Sequence, residues 1–577
     1  MLVTLIRRYA RPYWPFIGAV LVFQLVSTIA ALYLPSLNAE IIDKGVSRGD
    51  TDFIWRTGAV MLTVALIQVC AAVAGVYFGS RTAMAIGRDL RRGVFRSVTR
   101  FSAKDVNVFG APTLITRGTN DVQQVQMLVL MGLNFMVSTP IMCIGGIVMA
   151  VREDLSLSWL VWVSVPVLIA VVGYLVVRLM PLFRTMQKRI DRINAVLREQ
   201  IVGIRVVRAF VREPFESARF GTANEELTDV SLKIGALFVL MFPAIGMILH
   251  LSTAAVLWFG GHRVDTGAMQ VGSLTAFLQY LLQILIAVMM GTFMAMMIPR
   301  ASVCADRIGE VLDVEPSIRD PRDAVVPEQL AGVVEYRNVT FAYPGAEAPV
   351  LSGVSFTARP GETVAIIGST GSGKTSLISL LPRLYDIAGG EVLLDGIPVS
   401  RLDHAEITTR VAMVPQRPYL FSGTIAHNLR FGKTEASDEE LWEALRTAQG
   451  EEFVSEKKNG LGARVSQGGT NVSGGQRQRL CIARALVTKP KVYLFDDSFS
   501  ALDLATDARL RAALKKTTAD ATVIIVAQRI STIIDADQIL VLDKGRIIDR
   551  GTHGELLESS STYQEIVQSQ LSVEEAA

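Results

Sequence analysis

Thr363-Val-Ala-Ile-Ile-Gly368-Ser-Thr-Gly-Ser-Gly-Lys-Thr375-Ser-Leu-Ile-Ser-Leu-Leu381 passes from a β-branched run through a glycine loop into an apolar helical segment. That order matters chemically. Glycines let successive backbone N–H groups turn toward one point, where phosphate oxygens can be gathered. In such a loop Lys374 is expected to reach the β- and γ-phosphates and the Thr375 hydroxyl to ligate Mg²⁺, with the helix N-terminus adding partial positive charge. The expected binding set is therefore Gly368, Ser369, Thr370, Gly371, Ser372, Gly373, Lys374, Thr375 and Ser376. A chance match should occur in only about one per cent of chains this long, and the strand-before, helix-after context lowers that further.

Outward from this loop, Val492-Tyr-Leu-Phe-Asp496 reads as a buried strand ending in a carboxylate, placed to hold Mg²⁺. Short β-branched runs at 333–341, 363–367, 491–495 and 523–526 alternate with helical segments, which predicts an α/β domain with a largely parallel sheet. Between the loop and Asp496 lies Asn471-Val-Ser-Gly-Gly-Gln-Arg477. With these three elements in this order, the C-terminal half resembles the ATP-binding-cassette family. Val472-Ser-Gly-Gly-Gln476 is similar to that family's signature loop, with Val in the place usually taken by Leu.

The resemblance implies further roles. Tyr343, in Phe341-Ala-Tyr-Pro-Gly345, matches the aromatic that stacks on adenine, and Gln416 matches the loop residue that senses Mg²⁺. Ser473, Gly474, Gly475 and Gln476 would complete a nucleotide site on a second domain. Ser500-Ala-Leu-Asp503 matches the loop that crosses the domain dimer. The implied metal set is Thr375, Gln416 and Asp496; the implied catalytic positions are Asp497, Gln528 and Gln416.

Two of those positions depart from the family pattern. Asp497 stands where a Glu usually polarises the attacking water, and its side chain is shorter by roughly 1.5 Å. Gln528 stands where a switch histidine is usual; an amide can hydrogen-bond a phosphate but cannot carry imidazolium charge. A general base contributes about 10²- to 10⁴-fold. The expectation is a site that binds ATP and hydrolyses it poorly. An intact signature loop would complete a competent site on a related half-transporter, giving a heterodimer of the bacterial multidrug or lipid type.

The N-terminal half has a different texture. Half of the 577 residues are hydrophobic while the net charge is only +3, which suits a membrane protein and excludes a nucleic-acid binder or a disordered chain. A spanning helix needs about 20 apolar residues, and six stretches qualify: 15–37, 54–79, 125–150, 156–181, 234–260 and 273–298. The basic residues gather in the two long connections, 80–124 and 182–233, which puts both, together with both termini, on the cytoplasmic side of a plasma (inner) membrane. Helical periodicity continues through them, so they are expected to prolong the spans. Met1 to Trp14, basic and broken by Pro12, reads as an interfacial segment rather than a cleaved leader. Cys70, Cys143, Cys304 and Cys481 form no metal or disulfide pattern.

The expected organisation is thus a six-helix all-α transmembrane domain over 1–310, a linker over 311–328 and an α/β P-loop domain over 329–577. This is the half-transporter layout of exporter-type ATP-binding-cassette proteins. The resemblance also implies helical elbows in the long loops that engage nucleotide domains, with candidate turns at Ala111 to Gly118 and Ala209 to Phe215. The spans hold few polar groups (Gln24, Gln68, Asn134, His250, Gln279, Gln283) and a methionine-rich end to the sixth, which suits hydrophobic or amphipathic cargo. Membrane lipids and a second half-transporter are the expected partners. Import on the same fold and an ATP-gated regulatory subunit remain as alternatives.

Overall fold

The computed structural model describes residues 1–327 and 331–574, without the side chains of 136, 295 and 571–574. The expected boundary at 328/329 lies outside the described residues. The chain forms two compact units, one from Met1–Thr99 and Ala111–Val314, the other from Arg100–Gly110 and Glu315–Ala577.

In the first unit, six helices among the described residues are long and apolar enough to cross a membrane: Leu2–Val46, Thr51–Val98, Ala111–Glu153, Trp159–Val202, Glu213–Asp265 and Val271–Leu312. The chain is a multi-pass membrane protein. At 1.5 Å per residue the 48-residue Thr51–Val98 helix is about 70 Å long, more than twice a roughly 30 Å hydrocarbon layer. Its basic second half therefore continues as helix beyond the span. One packed core joins Leu157, Leu168, Phe277, Tyr280 and Ile284.

Two of the polar side chains in this unit lie against helix backbone. The Gln24 side chain lies against Gly75, and Asn134 Nδ2 donates to its own helix at Leu130 O, 2.9 Å away. The Val271–Leu312 helix receives its N-terminal cap from another helix: Asp43 accepts from the Gly272 N–H at 2.6 Å and the Ser273 N–H at 3.2 Å. A carboxylate there satisfies free donors and the helix dipole together.

Of the two expected turns, one lies where the sequence puts it and the other falls elsewhere. A turn at 210–212 separates Ile204–Ala209 from the Glu213–Asp265 helix. Ala111 to Gly118, however, is helical, an α-helix over Ala111–Thr116 running into a π-helical turn, Arg117–Asp121. The break falls earlier, around the short helix Ala103–Phe109, because Ser102 caps its start and Gly110 leaves it at φ +76°, a conformation that suits glycine.

That short helix belongs to the second unit. Asp105 is buried, and its carboxylate accepts from the Ser102 N–H, the Ser102 hydroxyl and the Ser317 N–H, each at 3.0 Å. Burial pushes its pKa up, but these hydrogen bonds outweigh burial and hold it below the ordinary carboxylate value.

The second unit is built on a six-stranded sheet in the order Arg546–Gly551, Gln538–Asp543, Thr363–Gly368, Thr522–Val526, Val492–Asp496, Val411–Val414. All pairs are parallel except the first. Its central strands are buried on both faces, which is why they read as unbroken apolar runs. A separate antiparallel sheet, Leu351–Ala358, Val334–Phe341, Gly389–Leu394 and Ile397–Pro398, was not anticipated. It packs by stacking Tyr336 on Phe356, with ring centres 4.6 Å apart.

Candidate functional site

Parallel register sets the site. Val526 pairs with both Asp496 and Ile366, so the ends of three neighbouring strands and the loops that leave them emerge at one sheet edge. In open α/β sheets that carboxyl edge is where ligands bind.

The loop after Thr363–Gly368 turns through Gly371 (φ +86°) and Gly373 (φ +101°). A Cβ on Gly373 would press on the Leu351 side chain at 2.8 Å, so this position requires glycine on two counts. Lys374 folds over the loop, its Nζ donating to Gly368 O at 2.7 Å and Ser369 O at 2.9 Å. Burial lowers its pKa, opposed by the carboxylates of Asp497 and Asp496. These bonds bring the ammonium charge onto the glycine loop itself.

Thr375 Oγ1 donates to Asp496 Oδ1 at 2.9 Å, joining the start of the glycine-loop helix to the tip of the Val492–Asp496 strand. Asp496 is 2% exposed, and burial raises its pKa against hydrogen bonds from Thr375 and the Gln416 backbone. Burial also raises Asp497, against hydrogen bonds from Gln416 and Ser500. Asp497 sits at φ +47°, a left-handed backbone that Asp tolerates better than most residues. Its Oδ2 accepts from Gln528 Nε2 at 2.8 Å and from Gln416 Nε2 at 3.4 Å. The two positions that depart from the family pattern thus touch each other, a contact no sequence spacing announces.

Tyr343 joins an aromatic cluster, edge-on to Tyr385 at 5.3 Å and Phe341 at 4.9 Å, with its hydroxyl 2.9 Å from Ser376 Oγ. Ser473 to Gln476 stand apart from the hydrogen-bonded cluster, at the start of the Gly474–Val487 helix. There Ser473 Oγ accepts from Gln476 N, and Gln476 Oε1 accepts from Ser473 N, each at 3.2 Å. Gly475 lies against Ala501 and Leu502, so the signature segment rests on the Ser500–Asp503 loop.

The donor chemistry suits Mg²⁺. A hydroxyl, a carboxylate and an amide oxygen are hard ligands, and Mg²⁺ commonly takes one or two carboxylates plus substrate phosphates. Among the described residues no three His, Cys, Asp or Glu gather into a self-sufficient metal site. Phosphate oxygens would have to complete the shell.

A phosphate-binding loop facing a strand-tip carboxylate, in a chain that also carries six membrane-crossing helices, defines an ATPase coupled to a membrane domain. The chain belongs to the ATP-binding-cassette transporter family. Residues 17–289 match the family described as ABC transporter transmembrane region and residues 351–500 the family described as ABC transporter. It is 50% identical to an uncharacterized ABC transporter ATP-binding protein of Mycobacterium tuberculosis, over 99% of this chain and 98% of that one. It is 35% identical to a fatty acid ABC transporter ATP-binding/permease protein of Mycobacterium bovis, covering 78% of this chain and 71% of that one. Its fold is similar to a bacterial Atm1-family ABC exporter solved with ATP bound, at TM-score 0.79 and 24% identity over 98% of both chains.

Proposed function

We propose that this chain is one half of an ATP-driven exporter of hydrophobic or amphipathic compounds, working as a heterodimer in which its own nucleotide site binds ATP but turns it over slowly. The observation that carries the slow-site reading is the Asp497–Gln528 hydrogen bond. A carboxylate held by an amide has less freedom to orient a water, and it is already shorter than the Glu usual at this position. A Gln at 528 brings no titratable charge to the γ-phosphate.

In this reading Gly368 to Ser376 cradle the phosphates, Lys374 leaves the loop carbonyls for the β- and γ-phosphates, and Tyr343 meets the adenine. Thr375, Asp496 and Gln416 would hold Mg²⁺, which would offset phosphate charge when bound. Ser473 to Gln476 would close over the partner's nucleotide. The membrane domain, linker and nucleotide domain divide near 310 and 328, with the nucleotide domain and both termini in the cytoplasm. A lipid-like cargo is supported by the apolar, methionine-rich sixth span and by the fatty-acid name of one relative. Export is supported by the fold shared with an exporter.

The test is to purify the chain alone and with a candidate partner half-transporter, measure Mg-ATP binding and phosphate release for each, and assay transport in vesicles of both orientations. Slow turnover alone, restored by a partner carrying Glu and His, is the expected result. Fast turnover by the chain alone would refute the slow-site reading, and uptake toward the nucleotide side would reverse the direction.

A further inference from the structure

The C-terminal helix is hydrogen-bonded to the switch segment through the Gln570 side chain. In Ser561–Glu574, Tyr563 and Val567 are buried and Ile566 packs on the same core, so one face of this helix is fixed to the nucleotide unit. Gln570 follows one turn later on that face, at i+7 from Tyr563 and i+3 from Val567. Its Oε1 accepts from the Ile530 N–H at 2.8 Å, and its Nε2 donates to the Gln528 carbonyl at 2.6 Å. One amide therefore grips the backbone on both sides of Arg529, as a neighbouring strand would. The residue it grips is the one whose side chain holds Asp497.

We propose that Gln570 is a positioning residue for the switch segment. The docked C-terminal helix fixes the backbone at 528–530, and through it the aim of the Gln528 amide at the nucleotide site. Gln570 touches neither nucleotide nor metal; it acts through Gln528. The arrangement makes the C-terminal helix a control point: any binding event that lifts it off Tyr563 and Val567 releases the switch segment. The inference rests on the ATP-site reading above only for its nucleotide consequence.

The test uses the full-length chain in lipid nanodiscs, with Mg-ATP and Mg-ADP as probes. Gln570→Met keeps size and packing but removes both bonds; Gln570→Glu keeps the acceptor for Ile530 and removes the donor to Gln528. For Gln570→Met, amide exchange in a peptide spanning 526–532 should rise about tenfold or more, as expected on losing two hydrogen bonds. Its ATP-over-ADP preference should move at least about threefold, in the direction that Gln528→Ala moves it. Gln570→Glu should retain protection of the Ile530 amide. Unchanged exchange in Gln570→Met overturns the proposal, as does an unchanged ATP-over-ADP ratio where Gln528→Ala shifts it. Should wild-type chain bind no Mg-ATP, the nucleotide reading falls, and exchange alone decides the clamp.

Discussion

Gln528 donates a 2.8 Å hydrogen bond to the Asp497 carboxylate, so the two residues nearest the expected hydrolytic chemistry form a pair. Replacing one member leaves the other aimed at a partner that has changed. Asp497→Glu alone is therefore expected to raise turnover at this site only slightly, and its left-handed backbone adds roughly 1 kcal/mol of strain. Asp497→Glu with Gln528→His should raise it about 10²-fold, measured as single-turnover phosphate release. Full recovery by the single change would show that Gln528 plays no part.

Lys374→Ala removes a charge-assisted contact and should weaken Mg-ATP binding by about 10- to 100-fold. Thr375→Val should leave metal-free nucleotide binding largely intact while reducing its Mg²⁺ dependence. Equilibrium binding with and without the metal separates the two.

Burial holds Asp496 and Asp497 above the ordinary value of 3.8. For a carboxyl raised in the folded state, the stabilising contribution is complete below 3.8 and is lost as pH rises through the raised values. Protons also compete with the metal, since Asp496 must ionise to ligate it. Apparent Mg²⁺ affinity should fall as pH is lowered toward the raised carboxyl values, and Asp496→Asn should flatten that dependence. A wild-type pH dependence of Mg²⁺ affinity that Asp496→Asn leaves unchanged would contradict this assignment.

Asp105 fastens the short helix Ala103–Phe109 to Ser317. Asp105→Ala leaves the Ser102 and Ser317 N–H groups without their carboxylate partner, at a cost of about 1–3 kcal/mol. Limited proteolysis should then cut near 315–327 several-fold faster than in wild type. Equal cleavage would mean the contact does not hold this segment.

Gly272 meets its neighbours at backbone distance: a Cβ there would collide with the Ala39 carbonyl and the Asp43 carboxylate. Neither is the free end of a flexible chain. Gly272→Ala should lower stability by about 1–3 kcal/mol, read as a lower thermal midpoint in detergent. Gly261→Ala, in open space, should have no such effect.

What could be read directly from the residues follows from how local each signal is. The glycine loop carries its strand, its turn and its lysine within one short stretch, and six apolar runs need only length to be recognised. Asp497 and Gln528 could be named one by one as departures, but their contact depends on the parallel register that pairs Asp496 with Val526. Gln570 carries no motif because its bonds depend on how the C-terminal helix docks; the spacing of Tyr563, Ile566 and Val567 is the trace the sequence holds. The first elbow was misplaced because Ala111 to Gly118 offers a Pro and a Gly that look like a turn. The helix instead accommodates Gly118 through a π-helical turn.

Among the six long helices, Thr51–Val98 is the one whose sequence contains no proline, whereas Glu213–Asp265 carries Pro243 inside it. A helix about 70 Å long without such a hinge behaves as a lever. Tilting it by about 10° at one end would sweep the other through roughly 12 Å. A modest rotation at its basic end would thus be magnified at the opposite end, whereas the proline-bearing helix would flex midway and dissipate part of the stroke.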